Sequence, residues 1–265
     1  MTLQQLLAPV GAIARAAGAA ILEIYQRADH GVQYKEDDSP LTHADLAAHE
    51  LIVAGLGKLT PQLPVLSEES AGIPWTERRR WTRYWLVDPL DGTKEFINRN
   101  GEFTVNIALI EHGVPVLGAV YAPVQDLLYL GAAQLGAWKE DRGRSARIGT
   151  AAIADGQRVL RVVASRRHAG AELETWLGRM QQRFPDLELL SMGSSLKICL
   201  VAEGSADVYP RLAPTSEWDT AAAQAVLEAS GGILIDTDGV PYRYNAKDDL
   251  LNPYFFALGD ARFRP

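Results

Sequence analysis

Tyr84-Trp85-Leu86-Val87-Asp88-Pro89-Leu90-Asp91-Gly92-Thr93 turns from apolar to acidic within a few residues. The apolar opening, residues 84–87, predicts a buried strand. Pro89 has no N–H for a ladder and fixes its own φ. Gly92 accepts backbone conformations that other residues resist. The strand is therefore predicted to stop at Asp88, leaving Asp88 and Asp91 on a tight loop at its end. Open α/β sheets bind ligands at the carboxyl ends of their strands. Asp88, Asp91 and the Leu90 carbonyl offer the oxygen donors that hard divalent cations prefer, and Thr93 adds a hydroxyl. Asp-Pro and Asp-Gly are also ordinary turn punctuation, so the loop taken alone leaves both readings open.

Upstream, residues 64–66 predict a short strand that runs into Ser67-Glu68-Glu69-Ser70. Acids again stand at a strand end, where a solvated loop explains them equally well. Residues 3–26 carry Leu3, Leu6, Leu7, Val10, Ile13, Ala17, Ile21 and Ile24 at helical spacing, the pattern of an amphipathic helix. Residues 32–34 suggest a short strand, and 35–40 a polar loop. A second helix is predicted from about Thr42 to Leu59, with Leu46, Ile52, Val53 and Leu56 on its apolar face. Thr42 and Asp45 have the spacing of a capping box. Capping alone explains Asp45 unless it faces the same cleft as Asp88.

Downstream, residues 103–110, 114–121, 127–131 and 136–139 read as strands of an antiparallel meander. Residues 141–156 are polar and form the candidate boundary. They divide the chain into an N-terminal α+β half, 1–155, and a C-terminal α/β half, 156–265. The second half alternates strands (159–164, 187–190, 207–209, 233–235, 254–257) with helices (171–184, 194–203, 218–230), which implies α/β layering. Ser216 is a plausible cap for the last helix, and Asp219 lies in its first turn, where a negative charge is favourable. The functional alternative is a carboxylate delivered from the second half into the cleft.

The chain has 265 residues, 47% hydrophobic and 22% charged, ordinary for a globular protein with a large core. No run approaches 18 consecutive apolar residues, so no membrane-spanning segment is predicted. The start lacks a basic region followed by an apolar stretch, so no signal peptide is expected. Cys199 is the single cysteine. It excludes an internal disulfide and reads as a core residue. A net charge of −7 argues against a nucleic-acid binder. Arg78-Arg79-Arg80 and Arg83 read as a solvated basic loop. An anionic substrate would need bound cations or placed Lys and Arg side chains.

Taken together, Glu68-Glu69, Asp88 to Thr93 and Trp218-Asp219, preceded by Ser39-Pro40-Leu41-Thr42-His43-Ala44-Asp45, resemble the Mg²⁺-dependent, lithium-sensitive phosphomonoesterases of the inositol monophosphatase superfamily. Lys94-Glu95-Phe96 after Asp-Gly-Thr, with Gly193-Ser194-Ser195-Leu196-Lys197 and residues 206–211, is similar to the 3′(2′),5′-bisphosphate nucleotidase branch in bacteria. The resemblance implies a layered α-β-α-β-α sandwich. It implies two or three Mg²⁺ ions held by Glu68, Asp88, Asp91, Asp219 and the Leu90 carbonyl, with Asp45 and Thr93 activating water. It assigns Glu69 a supporting role, and the Gly92 and Thr93 N–H groups a hold on phosphate. Glu68, Leu90, Asp91 and Asp219 would contact substrate as well as metal, and Ser194, Lys197 and Arg211 would read its second phosphate. Ser165 and His168 match substrate-contacting positions only loosely.

The implied reaction is hydrolysis of adenosine 3′,5′-bisphosphate to AMP and phosphate, with the sulfated nucleotide as a further substrate. The implied setting is sulfur metabolism in the cytoplasm. The resemblance also allows a homodimer and a peripheral attachment at the cytoplasmic face of the inner membrane, neither of which composition indicates. The alternatives are an inositol or sugar phosphatase on the same site, and a non-catalytic nucleotide or metal sensor.

Overall fold

The computed structural model describes residues 1–27, 33–34, 40–164 and 170–265. The polar loop read at 35–39, Val32, Ser165 and His168 lie outside the described residues. Helices α1 (Leu3–Tyr25) and α2 (His43–Leu59) flank β1 (Gln33–Tyr34) and β2 (Pro40–Leu41), which pair antiparallel. Thr2 and Thr42 cap the two helices, each in a reciprocal box with the residue three positions on. Leu6, Val10, Ala14, Ala17 and Ile21 form the buried stripe of α1; Ala44, Ala48, Ile52 and Leu56 form that of α2. The i+3 and i+4 spacing puts each set on one face. By length and composition α1 could cross a membrane. Here its stripe is occupied by α2 and the large sheet.

That sheet runs β3 (Val65–Ser67), β4 (Arg83–Asp91), β5 (Thr104–Glu111), β6 (Val114–Ala122), β7 (Leu127–Ala132), β8 (Gly136–Asp141) and β9 (Arg144–Ile148) in spatial order. Only its first pair is parallel. Short helices α3 (Trp75–Arg78) and α4 (Thr93–Ile97) interrupt the connections on either side of β4. Side chains alternate between faces, as a pleated strand requires. Trp85, Val87, Val105, Ile107 and Leu109 join the core under α1 and α2, while Tyr84, Leu86, Ala108 and Ile110 join the core between the sheets.

The second sheet contains β10 (Val159–Ala164), β11 (Asp186–Ser191), β12 (Val208–Arg211), β13 (Ile233–Asp236) and β14 (Phe255–Leu258), in spatial order β11-β10-β12-β14-β13. Helix α5 (Ala171–Arg183) covers its outer face through Leu173, Trp176 and Met180. Helices α6 (Leu196–Ala202) and α7 (Glu217–Ala229) lie between the sheets. The five layers are those the resemblance implies.

Helix α7 approaches β6 and β7 closely because Gly118 and Gly131 have no side chains. A Cβ at Gly131 would lie 2.6 Å from Val226 Cα, and one at Gly118 would overlap the Ala222 carbonyl oxygen. Gly118→Val is therefore expected to destabilise the protein by about 1–3 kcal/mol, the usual scale of overpacking. Urea unfolding checks this; an unchanged midpoint would mean that the helix is not seated so tightly.

Several sequence expectations need correction. Strand β4 does not stop at Asp88. Its ladder resumes at Asp91, paired with Thr104, across an irregularity between the two acids. Pro89 sits within that bulge, where no ladder N–H is needed. Strand β9 occupies part of the stretch read as a boundary. Arg78 is not solvated: it is buried, with Nη1 donating to Asn245 Oδ1 (2.8 Å) and to the Lys247 carbonyl (3.2 Å). Leu46 is exposed, because the α2 stripe runs through Ala44 and Ala48 instead.

Candidate active site

The β4 bulge puts Asp88 and Asp91 at the edge of the space between the sheets. Asp88 shares the face of Leu86 and lies opposite Asn106. It is buried, and its Oδ1 accepts the Leu90 N–H at 3.0 Å. Gly92 then takes φ = +95°, a left-handed conformation, and caps α4. A residue with a Cβ would be strained there. This sharp reversal puts Thr93 at the first position of α4, beside Asp45.

Asp45 does two things at once. Its Oδ2 accepts the Thr42 N–H (2.7 Å) and hydroxyl (2.6 Å), completing the α2 cap. Its Oδ1 accepts the Thr93 hydroxyl at 3.3 Å. The capping and site readings of Asp45 are thus both realised, one on each oxygen. Burial pushes its pKa up to about 6, Glu69 adds repulsion, and the Thr42 bonds oppose the rise.

Asp219 enters from the other half, on the first turn of α7. Ser216 caps that helix, and the Ser216 N–H donates to Asp219 Oδ2 at 2.8 Å. Carboxylate oxygens of Asp88, Asp91 and Asp219 lie within 4.8 Å of one another. Desolvation holds the Asp88 carboxyl well above the usual carboxylate range, reinforced by Glu68, Asp91 and Asp219. Asp219 is raised likewise by desolvation and then by Asp91, with the Ser216 N–H opposing. Close-packed acids with oxygen donors only are the set a hard divalent cation takes, and such an ion would relieve their repulsion.

Glu68 joins Asp88, Leu90, Asp91, Thr93 and Asp219 around a cavity of about 300 Å³. A second cavity of about 200 Å³ adjoins it, sharing Asp91, Gly92, Glu95 and Asp219. Ser194, Lys197 and Arg211 line this second space. Glu68, Asp88, Leu90, Asp91, Gly92, Thr93, Ser194, Lys197, Arg211 and Asp219 thus line these two adjoining cavities, and Asp45 adjoins them through Thr93. Glu69 lines neither cavity.

Lys197 is buried, and its Nζ donates to the Ser194 carbonyl at 2.6 Å. Burial lowers its pKa to about 8, with Asp91 opposing. Ser194 Oγ and Arg211 Nε are buried and have no hydrogen-bond partner among the described residues.

Sequence reasoning missed Ser195 and Asn106. The Ser195 N–H and hydroxyl both reach Asp91 Oδ2, at 2.6 and 2.7 Å. Asn106 donates to Ser195 Oγ at 2.8 Å. A signal for Asn106 was present: it is a polar residue on the inward face of an apolar strand. Ser195 had no such signal, because its neighbour Ser194 fits the motif equally well.

Residues 2–255 match the inositol monophosphatase family. Among curated proteins, the 3′(2′),5′-bisphosphate nucleotidase CysQ of Escherichia coli O157:H7 is 52% identical, covering 92% of this chain and 95% of that protein. The protein of the same name from Salmonella typhimurium is 51% identical, covering 94% and 98%. Among solved structures, CysQ from Bacteroides thetaiotaomicron, described as a bacterial member of the inositol monophosphatase family, superposes with a TM-score of 0.83. It is 45% identical, with 96% of this chain and 97% of that one covered. This chain belongs to the inositol monophosphatase family.

Proposed function

We propose that the chain is a Mg²⁺-dependent 3′(2′),5′-bisphosphate nucleotidase that hydrolyses adenosine 3′,5′-bisphosphate to AMP and phosphate in cytoplasmic sulfur metabolism. Its 52% and 51% identical relatives carry that enzyme name. The observation that carries the reading is the pair of orphaned polar atoms, Ser194 Oγ and Arg211 Nε, beside the buried Lys197 ammonium. Buried polar groups normally have partners. Two that lack one, next to a cation in a cleft, suit an anion, and this cleft adjoins the acidic cluster. A substrate with two phosphates satisfies both ends.

Glu68, Asp88, Asp91, Asp219 and the Leu90 carbonyl would hold two or three Mg²⁺ ions. When bound, such ions neutralise phosphate charge and favour hydroxide over water. The chain's own residues do the rest. Thr93 Oγ takes a proton from the attacking water as its own passes to Asp45 Oδ1, so neither residue suffices alone. The N–H groups of Gly92 and Thr93 are suited to phosphate oxygens. Glu69 acts on Asp45 through its charge. We assign Asp45, Glu68, Asp88, Asp91 and the phosphate-gripping turn to an N-terminal domain, 1–155. A C-terminal domain, 156–265, would then supply Asp219 and the second-phosphate residues.

Steady-state kinetics on a substrate panel test the reading. Adenosine 3′,5′-bisphosphate is expected to exceed inositol 1-phosphate in kcat/KM by about tenfold or more, since a hydrogen bond to a charged group contributes about 1.5–3 kcal/mol. Lys197→Ala should raise KM for the bisphosphate by a similar factor, and far less for adenosine 3′-monophosphate. Equal preference in the parent would point instead to an inositol or sugar phosphatase. A turnover of zero for every phosphomonoester would point to a sensor.

A further inference from the structure

We propose that Ser195 and Asn106 are positioning residues that tie Asp91, at the end of β4, to Asp219, at the start of α7, and thereby set the metal affinity of the site. This rests on the metal-site reading above. Asp91 ends β4 in the large sheet, whereas Asp219 opens α7. Nothing in the local sequence fixes the distance between them, and their like charges favour separation. Ser195, just ahead of α6, spans the gap. Its N–H and Oγ engage Asp91 Oδ2 at 2.6 and 2.7 Å, and its Oγ lies 2.5 Å from the Asp219 carbonyl oxygen. Asn106 Nδ2 reaches the same hydroxyl at 2.8 Å and lies 3.5 Å from Asp91 Oδ2.

Ser195 is 4% exposed and Asn106 is 1% exposed. A hydroxyl has one proton to give. With Asn106 donating to its oxygen, that proton is directed to the Asp91 carboxylate or the Asp219 carbonyl. With its N–H on Asp91 Oδ2 and its hydroxyl proton on the Asp219 carbonyl, Ser195 joins the two residues and leaves Asp91 Oδ1 as the oxygen for a ligand. The result is one oriented carboxylate at a fixed spacing, before any ion arrives. Groups that orient metal ligands typically change metal affinity by about 10–100-fold.

The test is Mn²⁺ titration of the full-length, metal-stripped protein by calorimetry, for the parent, Ser195→Ala, Asn106→Ala, the double variant and Ser195→Thr. Ser195→Ala is expected to raise the Mn²⁺ Kd by about 10–100-fold, with the metal-free Tm little changed. The double variant should be no weaker than the weaker single, since both act through one hydroxyl. Ser195→Thr, which keeps that hydroxyl, should recover most of the affinity. In kinetics the half-saturating Mg²⁺ concentration should rise in step with the Mn²⁺ Kd, and Ser195→Thr should bring it back toward the parent value. A folded Ser195→Ala that binds Mn²⁺ as the parent does overturns the tether, as do additive effects in the double variant. If Ser195→Ala fails to fold, the Kd of Asn106→Ala decides in the same way. A parent that binds no Mn²⁺ overturns the metal-site reading itself.

Discussion

Thr93→Ala is expected to lower kcat by about 10²–10⁴-fold while changing KM far less, the range of positioned proton transfer. The hydroxyl of Thr93 is 3.3 Å from Asp45 Oδ1, and its other acceptor is the Leu90 carbonyl at 3.4 Å. A threonine hydroxyl is a weak base by itself. It becomes useful only when its proton has somewhere to go, and the carbonyl cannot accept that proton covalently. Asp45 can. Its Oδ2 is committed to Thr42, so Oδ1 is the available oxygen. Burial raises its pKa to about 6, so at neutral pH it is mostly ionised and still a competent acceptor. The base form is required, so kcat/KM should fall as pH drops through about 6. Asp45→Asn should match the loss of Thr93→Ala, and the double variant should be about as slow as either, because the two act as one unit. Thr93→Ser should retain much of the activity. A Thr93→Ala enzyme within about threefold of the parent would remove this pair from the chemistry.

Much of this arrangement is legible in the chain because it is punctuated locally. The strand before Asp88, the glycine after Asp91 and the capping spacing of Thr42 with Asp45 all act over a few residues, and each forms as read. What escapes is set by distant partners. Arg78 reads as a surface charge because the groups that desolvate and bind it lie around 167 to 170 residues away. The β4 ladder resumes at Asp91 only because Thr104 of β5 is there to pair with it. Leu46 fits a helical stripe as well as Ala44 does, and only the tilt of α2 on its neighbours chooses between them. Ser195 shows the same limit within the site, since its role depends on where α6 meets the end of β4. Local rules place the acids at element ends; tertiary packing decides which small polar residues hold them there.

Asp88→Asn is expected to reduce turnover by at least about 10²-fold, the usual scale for a lost catalytic group, and yet to raise the Tm of the metal-free protein. The buried Asp88 carboxylate is desolvated and faces Glu68, Asp91 and Asp219. Without a cation, that charge opposes folding. The amide has the same shape, can still accept the Leu90 N–H that now reaches Oδ1, and carries no charge. The pH dependence has a definite sign. Asp88 and Asp219 have folded-state pKa values raised above their unfolded ones. Their protonated forms are therefore favoured by the fold, and that contribution disappears as pH rises through the folded pKa values. The metal-free parent should melt at a lower temperature at pH 8 than at pH 5, and the Asp88→Asn variant should show a smaller drop. Each kcal/mol relieved corresponds to about 2–4 °C for a chain near this size. Adding Mg²⁺ should reverse the order, because an ion that binds only the folded parent stabilises it by mass action. Calorimetry of both proteins at the two pH values, with and without Mg²⁺, tests each of these expectations. A metal-free Asp88→Asn protein that melts below the parent at pH 8 would mean that the acid is part of the scaffold, and that repulsion among these carboxylates is not what the cation is there to offset.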